Sequence, residues 1–172
     1  MAIGWGSLSV VMTSVQISDD LKTFLEGPVS VLVGTRDSRM VPEITRGWGP
    51  SVSKDRHRVA LCVPLATSRK TLDNLEGNGE IAVTFSRPSD YRTIQLKGRH
   101  ATIGDPDSAD LILVEQHRDA FVSVNKSLGQ LRERVETFWR IEIETSAVLV
   151  KIFFLLEEVF DQTPGPNAGK SV

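Results

Sequence analysis

The feature that most restricts the fold of this 172-residue chain is a succession of short β-branched and apolar runs separated by turn residues. Residues 29–35 and 40–46 flank the turn Asp37-Ser38-Arg39, which predicts a hairpin. After a loop at 47–50, further strands are predicted at 59–63, 80–86, 92–103, 136–144 and 147–160. Because helices occur only as inserts between strands, the pattern predicts a mainly β chain. We expect an antiparallel sheet of about six strands that closes into a small barrel.

Three helices are predicted between these strands. Ser18 can cap a short helix that ends before Gly27 and Pro28. A second helix is predicted at 68–76, and Asp107 or Ser108 is expected to cap the longest one. The buried stripe of that longest helix recurs at spacings of three and four residues: Val114, His117, Phe121, Val124 and Leu128. We expect the short helices to cover the barrel.

The last predicted strand is unusually apolar. Almost every residue from 148 to 156 is hydrophobic, which predicts a strand buried on both faces rather than on one. Either the longest helix or a second copy of the chain can supply the outer cover. The run is interrupted by Lys151 and is much shorter than the roughly 20 apolar residues that a bilayer span needs, so no membrane contact is expected.

Length and composition predict one globular domain over residues 1–172, with an N-terminal extension at 1–16 and a polar tail at 161–172. The net charge of −2 gives no global field that would attract nucleic acid. The single cysteine, Cys62, lies in an apolar run and is expected to be buried and inert, which favours a reducing, cytoplasmic location. The three histidines show no metal-ligand spacing, and His117 is expected to be a core histidine rather than a haem ligand.

The strongest candidate for a binding site is Ser68-Arg69-Lys70-Thr71, at the start of the second predicted helix. A helix start presents unpaired backbone N–H groups, and this one adds a hydroxyl, a guanidinium and an ammonium group. The motif is therefore suited to hold a phosphate dianion. The alternative interpretation is a pair of solvated surface charges, which is the common role of basic residues.

The order of these features resembles the FMN-binding split-barrel family typified by pyridoxamine 5′-phosphate oxidase. The resemblance covers residues 18–104 and depends on Met40-Val41-Pro42, the Ser-Arg-Lys cluster followed by Asn74-Leu75, and Arg92 six residues before Gly98. It implies a homodimer with the cofactor at the subunit interface. The residues that it implies as FMN contacts are Ser68, Arg69 and Lys70 at the phosphate, Thr67 beside them, and Glu43, Ile44, Thr45, Arg46 and Trp48 along the ring.

Two of the candidate ring contacts have alternative interpretations, and Gln95 is a further candidate. Trp48 either stacks beside a flavin or covers the mouth of the barrel. Arg46 either contacts an anionic group or is a solvated charge at a strand end. Gln95 shares one strand face with Thr93 and Lys97, and its amide can both donate to and accept from a flavin edge.

The residues and the resemblance together predict an FMN-binding flavoprotein, and an FMN-dependent oxidoreductase in particular. The flavin would supply the redox chemistry, which agrees with the absence of a recognisable acid–base motif, and no catalytic residue is assigned. The oxidase's C-terminal Trp-rich and Arg-Leu segments have no counterpart here, so vitamin B6 oxidation is not expected. The alternatives are a deazaflavin-dependent reductase and a non-catalytic flavin or haem binder.

Overall fold

A computed structural model of the chain describes residues 15–129 and 148–172. Within these ranges three helices accompany seven strands. The helices are α1 (Asp19–Leu25), α2 (Leu65–Asn78) and α3 (Ser108–Ser127). The strands are β1 (Ser30–Arg36), β2 (Pro42–Val52), β3 (Arg58–Pro64), β4 (Ile81–Ser86), β5 (Thr93–Gly104), β6 (Leu149–Asp161) and β7 (Lys170–Ser171). The predicted strand at 136–144 lies outside the described residues.

Six of the strands form a closed antiparallel barrel, which confirms the predicted fold class. Their order is β3-β2-β1-β4-β5-β6, and pairing of β3 with β6 along seven residues, from Arg58 opposite Leu155 to Pro64 opposite Leu149, closes the sheet. Closure satisfies the backbone groups of every barrel strand and leaves no long free edge. The short β7 pairs with the end of β6 outside the barrel, so part of the predicted tail folds back onto the sheet.

The interior of the barrel is filled by alternate residues of each strand. Val33 of β1 lies opposite Val83 of β4, which in turn lies opposite Leu96 of β5, and all three are fully buried. Phe154 and Leu156 fill the same core from β6. Each such side chain contributes about 1.5 to 3 kcal/mol of transfer free energy, so the period-two burial pattern is the main determinant of register.

The second strand is longer than predicted. It continues from Pro42 to Val52 through the glycines and proline at 47–50 that the sequence indicated as a loop. The pairing register with β3 shifts between Trp48 and Ser51, which marks a bulge, and Gly49 adopts a left-handed φ of 57° there. A Cβ at Gly49 would lie 2.8 Å from the backbone nitrogen of Val114, so the glycine lets α3 approach β2 closely.

The longest helix lies mainly on β2 and contacts β6 only near its start, where Leu149 packs against the Val114 cluster and Lys151 Nζ donates to Asp110 Oδ2 at 2.8 Å. Asp107 caps α3 as predicted, and Val114 packs with Trp48 and Cys62 in a second, smaller core between the helix and the sheet. Leu128, predicted in the buried stripe, is 46% exposed at the C-cap. Further along β6, Phe153 is 39% exposed on the outer face, so the helix covers only the start of that strand.

The ends of the described chain are tied to the barrel. Ile17 is buried in the core, and its N–H donates to the Arg56 carbonyl at 2.8 Å. Ser18 caps α1 as predicted, with its Oγ accepting from the Leu21 N–H. Within residues 15–129 and 148–172, no helix has the length and apolarity to cross a bilayer.

Candidate functional site

The helix that carries the predicted phosphate motif begins earlier than the sequence indicated. Its first residue is Leu65, after Pro64, rather than Ser68, and it ends at Gly79, whose left-handed φ of 65° closes the last turn. The Leu65 N–H donates to the Val148 carbonyl at 3.0 Å. Ser68 therefore lies one turn inside the helix, where its N–H belongs to the intrahelical ladder, and the expectation of free N–H groups at Ser68 is wrong.

Two pairs of side chains connect α2 to β2. Ser68 and Thr45 are both buried, and their hydroxyl oxygens lie 2.8 Å apart. Two residues later on α2 and two residues earlier on β2, Lys70 Nζ lies 3.5 Å from Glu43 Oε2. The structure thus brings four predicted site residues together at one rim of the barrel, although it engages the Ser68 hydroxyl with the protein rather than with solvent.

Two asparagines extend this contact to β1. Asn74 Nδ2 donates to Thr35 Oγ1 at 3.0 Å, and Asn78 Nδ2 donates to the Arg36 carbonyl at 2.8 Å. Together with the Ser68–Thr45 pair, these hydrogen bonds fix the position of α2 along its length. Hydrogen bonds of this kind contribute about 0.5 to 1.5 kcal/mol each to stability. The basic residues of α2 therefore lie on a helix whose position on the barrel is fixed.

The basic residues themselves face solvent. Arg69 and Thr67 are exposed, and Arg69 has no acidic partner in the described part of the chain. The Lys70 side chain is 76% exposed, so its contact with Glu43 is a weak surface ion pair. A guanidinium and an ammonium group are consequently available to an anion at this rim.

An open groove of about 490 Å³ lies beside the rim, on the outer face of the barrel. Its volume falls in the range of small-ligand sites, and small residues at Gly34, Ala82 and Gly98 form much of its floor. Its charged walls include the ion pairs Arg36–Glu80 at 2.6 Å and Arg99–Glu157 at 3.7 Å. The full lining is Gly34, Thr35, Arg36, Pro42, Glu43, Ile44, Glu80, Ile81, Ala82, Lys97, Gly98, Arg99, Glu157 and Glu158.

The predicted ring contacts on β2 separate into two groups. Glu43 and Ile44 line the groove, and Ile44 is 66% exposed. Arg46 donates to Ser30 Oγ at 3.2 Å, and its guanidinium lies 5.6 Å from the centre of the Trp48 ring. Trp48 is buried under α3 at 1% exposure, so it packs the smaller core and does not reach the groove in this structure.

Gln95 lies on the same outer face as Arg46 but far from it. Pairing aligns Arg46, Leu32, Thr84 and Gln95 in one row across β2, β1, β4 and β5. Three interstrand spacings separate the two ends of the row, which is roughly 14 Å. The Gln95 amide donates to Thr84 Oγ1 at 3.2 Å. A single ring system would not contact both ends of this row.

His117 is a satisfied core histidine, as predicted. Its Nε2 donates to the Val29 carbonyl at 2.9 Å, and its Nδ1 accepts from the Gly49 N–H at 3.4 Å. Both ring nitrogens are therefore used to join α3 to β2 and to the start of β1. Burial lowers the pKa of the imidazole to about 4, which keeps it neutral at pH 7.

The lowered pKa of His117 makes a pH-dependent contribution to stability. A base whose pKa falls from 6.5 to about 4 on folding contributes stability above pH 6.5 that is lost as the pH falls towards 4. We expect the free energy of unfolding to fall by about 2 kcal/mol between pH 7.5 and pH 5. Urea denaturation at a series of pH values measures this slope, and His117→Gln should remove it. An unchanged free energy over that interval in the native protein would contradict the assignment.

No metal site or reactive thiol accompanies the groove in the part of the chain that the structure describes. No cluster of three or more potential ligands occurs there. Cys62 is buried under α3, and desolvation raises the pKa of its thiol to about 11, as expected for an inert cysteine.

Several groove residues were not singled out from the sequence: Arg36, Glu80, Arg99 and Glu157. Period-two alternation places the outward positions Gly34, Ala82 and Lys97 in one row, because Gly34 pairs with Ala82 and Ala82 with Lys97. The alternation in the sequence indicates which residues of each strand point outward, but it does not indicate the order of the strands in the sheet. The sequence alone therefore could not show which strands line the groove together.

Three solved structures share this fold. HupZ of Group A Streptococcus is 18% identical, with a TM-score of 0.54 over 90% of this chain and 100% of that chain. An F420 reductase is 17% identical, with a TM-score of 0.53 over 80% and 94%. A candidate pyridoxamine 5′-phosphate oxidase from Lactobacillus delbrueckii is 12% identical, with a TM-score of 0.51 over 84% and 93%.

These similarities define the class of fold: the chain is a split barrel of the pyridoxamine 5′-phosphate oxidase type. At such low identities the structural similarity establishes the fold alone. No family model matches the sequence, and no curated protein matches it at a significant level.

Proposed function

We propose that the protein is an FMN-binding flavoprotein and that its FMN serves an oxidoreductase reaction on a small molecule. The observation that carries the proposal is a pair of adjacent, solvent-facing cations on α2, Arg69 and Lys70, of which Lys70 contacts the groove residue Glu43. A guanidinium and an ammonium group suit the phosphate of FMN, since charge-assisted hydrogen bonds are the strong ones. The sequence resemblance and the shared fold support the same assignment.

The residues present fit this cofactor. Arg69 and Lys70 would hold the phosphate, with the exposed Thr67 two residues before Arg69. Ser68 would act through Thr45, keeping α2 against β2, rather than as a direct phosphate ligand. Ile44 and the backbone beside it would lie along the flavin ring. FMN would supply hydride or single-electron transfer, and the chain would bind and orient it.

We also propose that two copies of the chain pack through the face that contains the groove. Leu32 and Ile44 are 39% and 66% exposed on this face. Exposed apolar side chains on one face of a sheet are typical of a surface that another protein covers. A twofold partner placed there would cover both side chains and close the open side of the groove. The cofactor would then lie at the interface, as the family resemblance implies.

Purification tests both parts of the proposal on one sample. We expect a yellow protein whose bound chromophore is released on denaturation and identified as FMN, with a mass in solution of twice the chain's 19.0 kDa. A colourless monomer that takes up neither FMN nor riboflavin would contradict it.

The second candidate cofactor is a deazaflavin, because an F420 reductase shares the fold and the same two cations would serve its phosphate. Titrations with FMN and F420 separate the two possibilities. We expect FMN to bind more tightly by at least tenfold, and the reverse order would assign the protein to deazaflavin chemistry.

A further inference from the structure

We propose that the Glu43 carboxylate competes with the cofactor phosphate for Lys70 and so lowers the affinity of the site for phosphorylated flavins. This inference depends on the proposed function and concerns the same rim. It begins from one distance: Lys70 Nζ lies 3.5 Å from Glu43 Oε2, and Glu43 also lines the groove. One residue that lines the groove thus also contacts one of the two candidate phosphate ligands.

The docking of α2 on β2 brings Lys70 within reach of Glu43. Glu43 and Thr45 are two residues apart on β2 and therefore face the same side. Ser68 and Lys70 are two residues apart on α2 and lie on different faces of the helix, so the long Lys70 side chain reaches back towards β2. The buried Ser68–Thr45 pair, with its hydroxyl oxygens 2.8 Å apart, holds α2 close enough to β2 for this contact. Asn74 bonded to Thr35 fixes the helix further along. The ion pair is thus a consequence of how α2 docks on β2.

A phosphate bound to Lys70 would meet this carboxylate at short range. An ammonium-to-phosphate contact is about 2.8 Å long, so the phosphate oxygen would lie within roughly 6 Å of the Glu43 carboxylate. Like charges at that separation repel appreciably even near the protein surface. Binding must therefore displace Glu43 from Lys70 or tolerate the repulsion. The ion pair itself contributes little to stability, because the Lys70 side chain is 76% exposed.

The inference predicts that removing the charge of Glu43 improves binding of FMN but not of riboflavin, which has no phosphate. We expect Glu43→Gln to bind FMN about tenfold more tightly than the native protein, which corresponds to about 1.4 kcal/mol. Riboflavin affinity should change by less than twofold. Both affinities are measured by quenching of flavin fluorescence at one ionic strength, since screening weakens the effect.

A matched control accounts for the change in net charge. Glu115 lies on α3, pairs with Arg118 and is remote from the groove lining. Glu115→Gln removes one negative charge as well, and we expect it to leave both affinities unchanged.

The outcomes separate this inference from the proposed function. If the native protein binds FMN and Glu43→Gln binds it equally or more weakly, then Glu43 does not compete for Lys70 and the inference is overturned, while the flavin assignment stands. If neither the native protein nor Glu43→Gln binds FMN or riboflavin, both proposals are overturned. Binding of FMN by Glu43→Gln alone would support both.

Discussion

Replacing Arg69 and Lys70 together with alanine is expected to abolish FMN retention and leave the fold intact. Each charge-assisted contact to a phosphate is worth about 1.5 to 3 kcal/mol, so the double variant should lose roughly 10²- to 10⁴-fold in FMN affinity. Both side chains are exposed and neither is part of a hydrophobic core, so the thermal midpoint should move by no more than about 2 °C. Fluorescence titration and thermal denaturation of the same preparation measure the two effects.

A control with the same loss of charge is Lys54→Ala combined with Lys126→Ala. These lysines are exposed in the β2–β3 turn and near the end of α3, away from α2. We expect the control to retain FMN at nearly native affinity. If the Arg69/Lys70 variant retained FMN as well as this control does, the phosphate site would have to be elsewhere.

The largest effect on stability is expected from Gly98→Ala. Gly98 lies in β5 where the pairing with β6 shifts register, and a Cβ there would lie 2.3 Å from the Leu155 carbonyl oxygen and 2.5 Å from the Phe154 ring. The nearest obstacle is backbone of the strand that closes the barrel, so it cannot move away cheaply. We expect a loss of at least about 3 kcal/mol in the free energy of unfolding, at the upper end for overpacking.

Gly104→Ala is the matched control for this variant. It lies on the same strand, also opposite β6, but the nearest atom to its Cβ would be Phe153 Cε1 at 4.0 Å. We expect a change below about 1 kcal/mol. Chemical denaturation measures the free energy of unfolding of both variants. Equal values for the two would show that β5 and β6 are not in close contact at Gly98.

The sequence predicted the barrel well because burial on one face imposes a period of two. In β4 and β5, turn residues bound each run and the buried positions alternate, so these strands were placed within one or two residues. In β6 the apolar run predicted burial on both faces, whereas the structure buries alternate residues and leaves Phe153 39% exposed. Helix caps were equally local signals. Ser18 and Asp107 each bond to the N–H groups of the turn that follows, and both were identified.

The errors arose where tertiary contacts overrode local signals. β2 passes through residues 47–50 because α3 packs onto Gly49, which turns an apparent loop into a bulged strand. α2 begins at Leu65 because the Val148 carbonyl accepts its first N–H, a partner more than 80 residues away. Neither contact leaves a trace in the adjacent sequence.

The candidate site was only partly predictable for the same reason. The basic cluster could be recognised by its residue types, and two of the predicted contacts on β2, Glu43 and Ile44, line the groove. The burial of Trp48 and the engagement of Ser68 with Thr45 depend on the docking of α3 and α2 onto β2, which no short-range pattern specifies. The groove is lined by residues of five strands, β1, β2, β4, β5 and β6, whose neighbours in the sheet are set by its topology.

The most direct test of the account is a crystal structure of the protein grown with FMN. We expect density for the coenzyme in the groove, with its phosphate within hydrogen-bond distance of Arg69 and Lys70 and its ring along Ile44. Density for FMN at another surface, with both side chains pointing into bulk solvent, would contradict the central claim that the α2–β2 rim is a phosphate site.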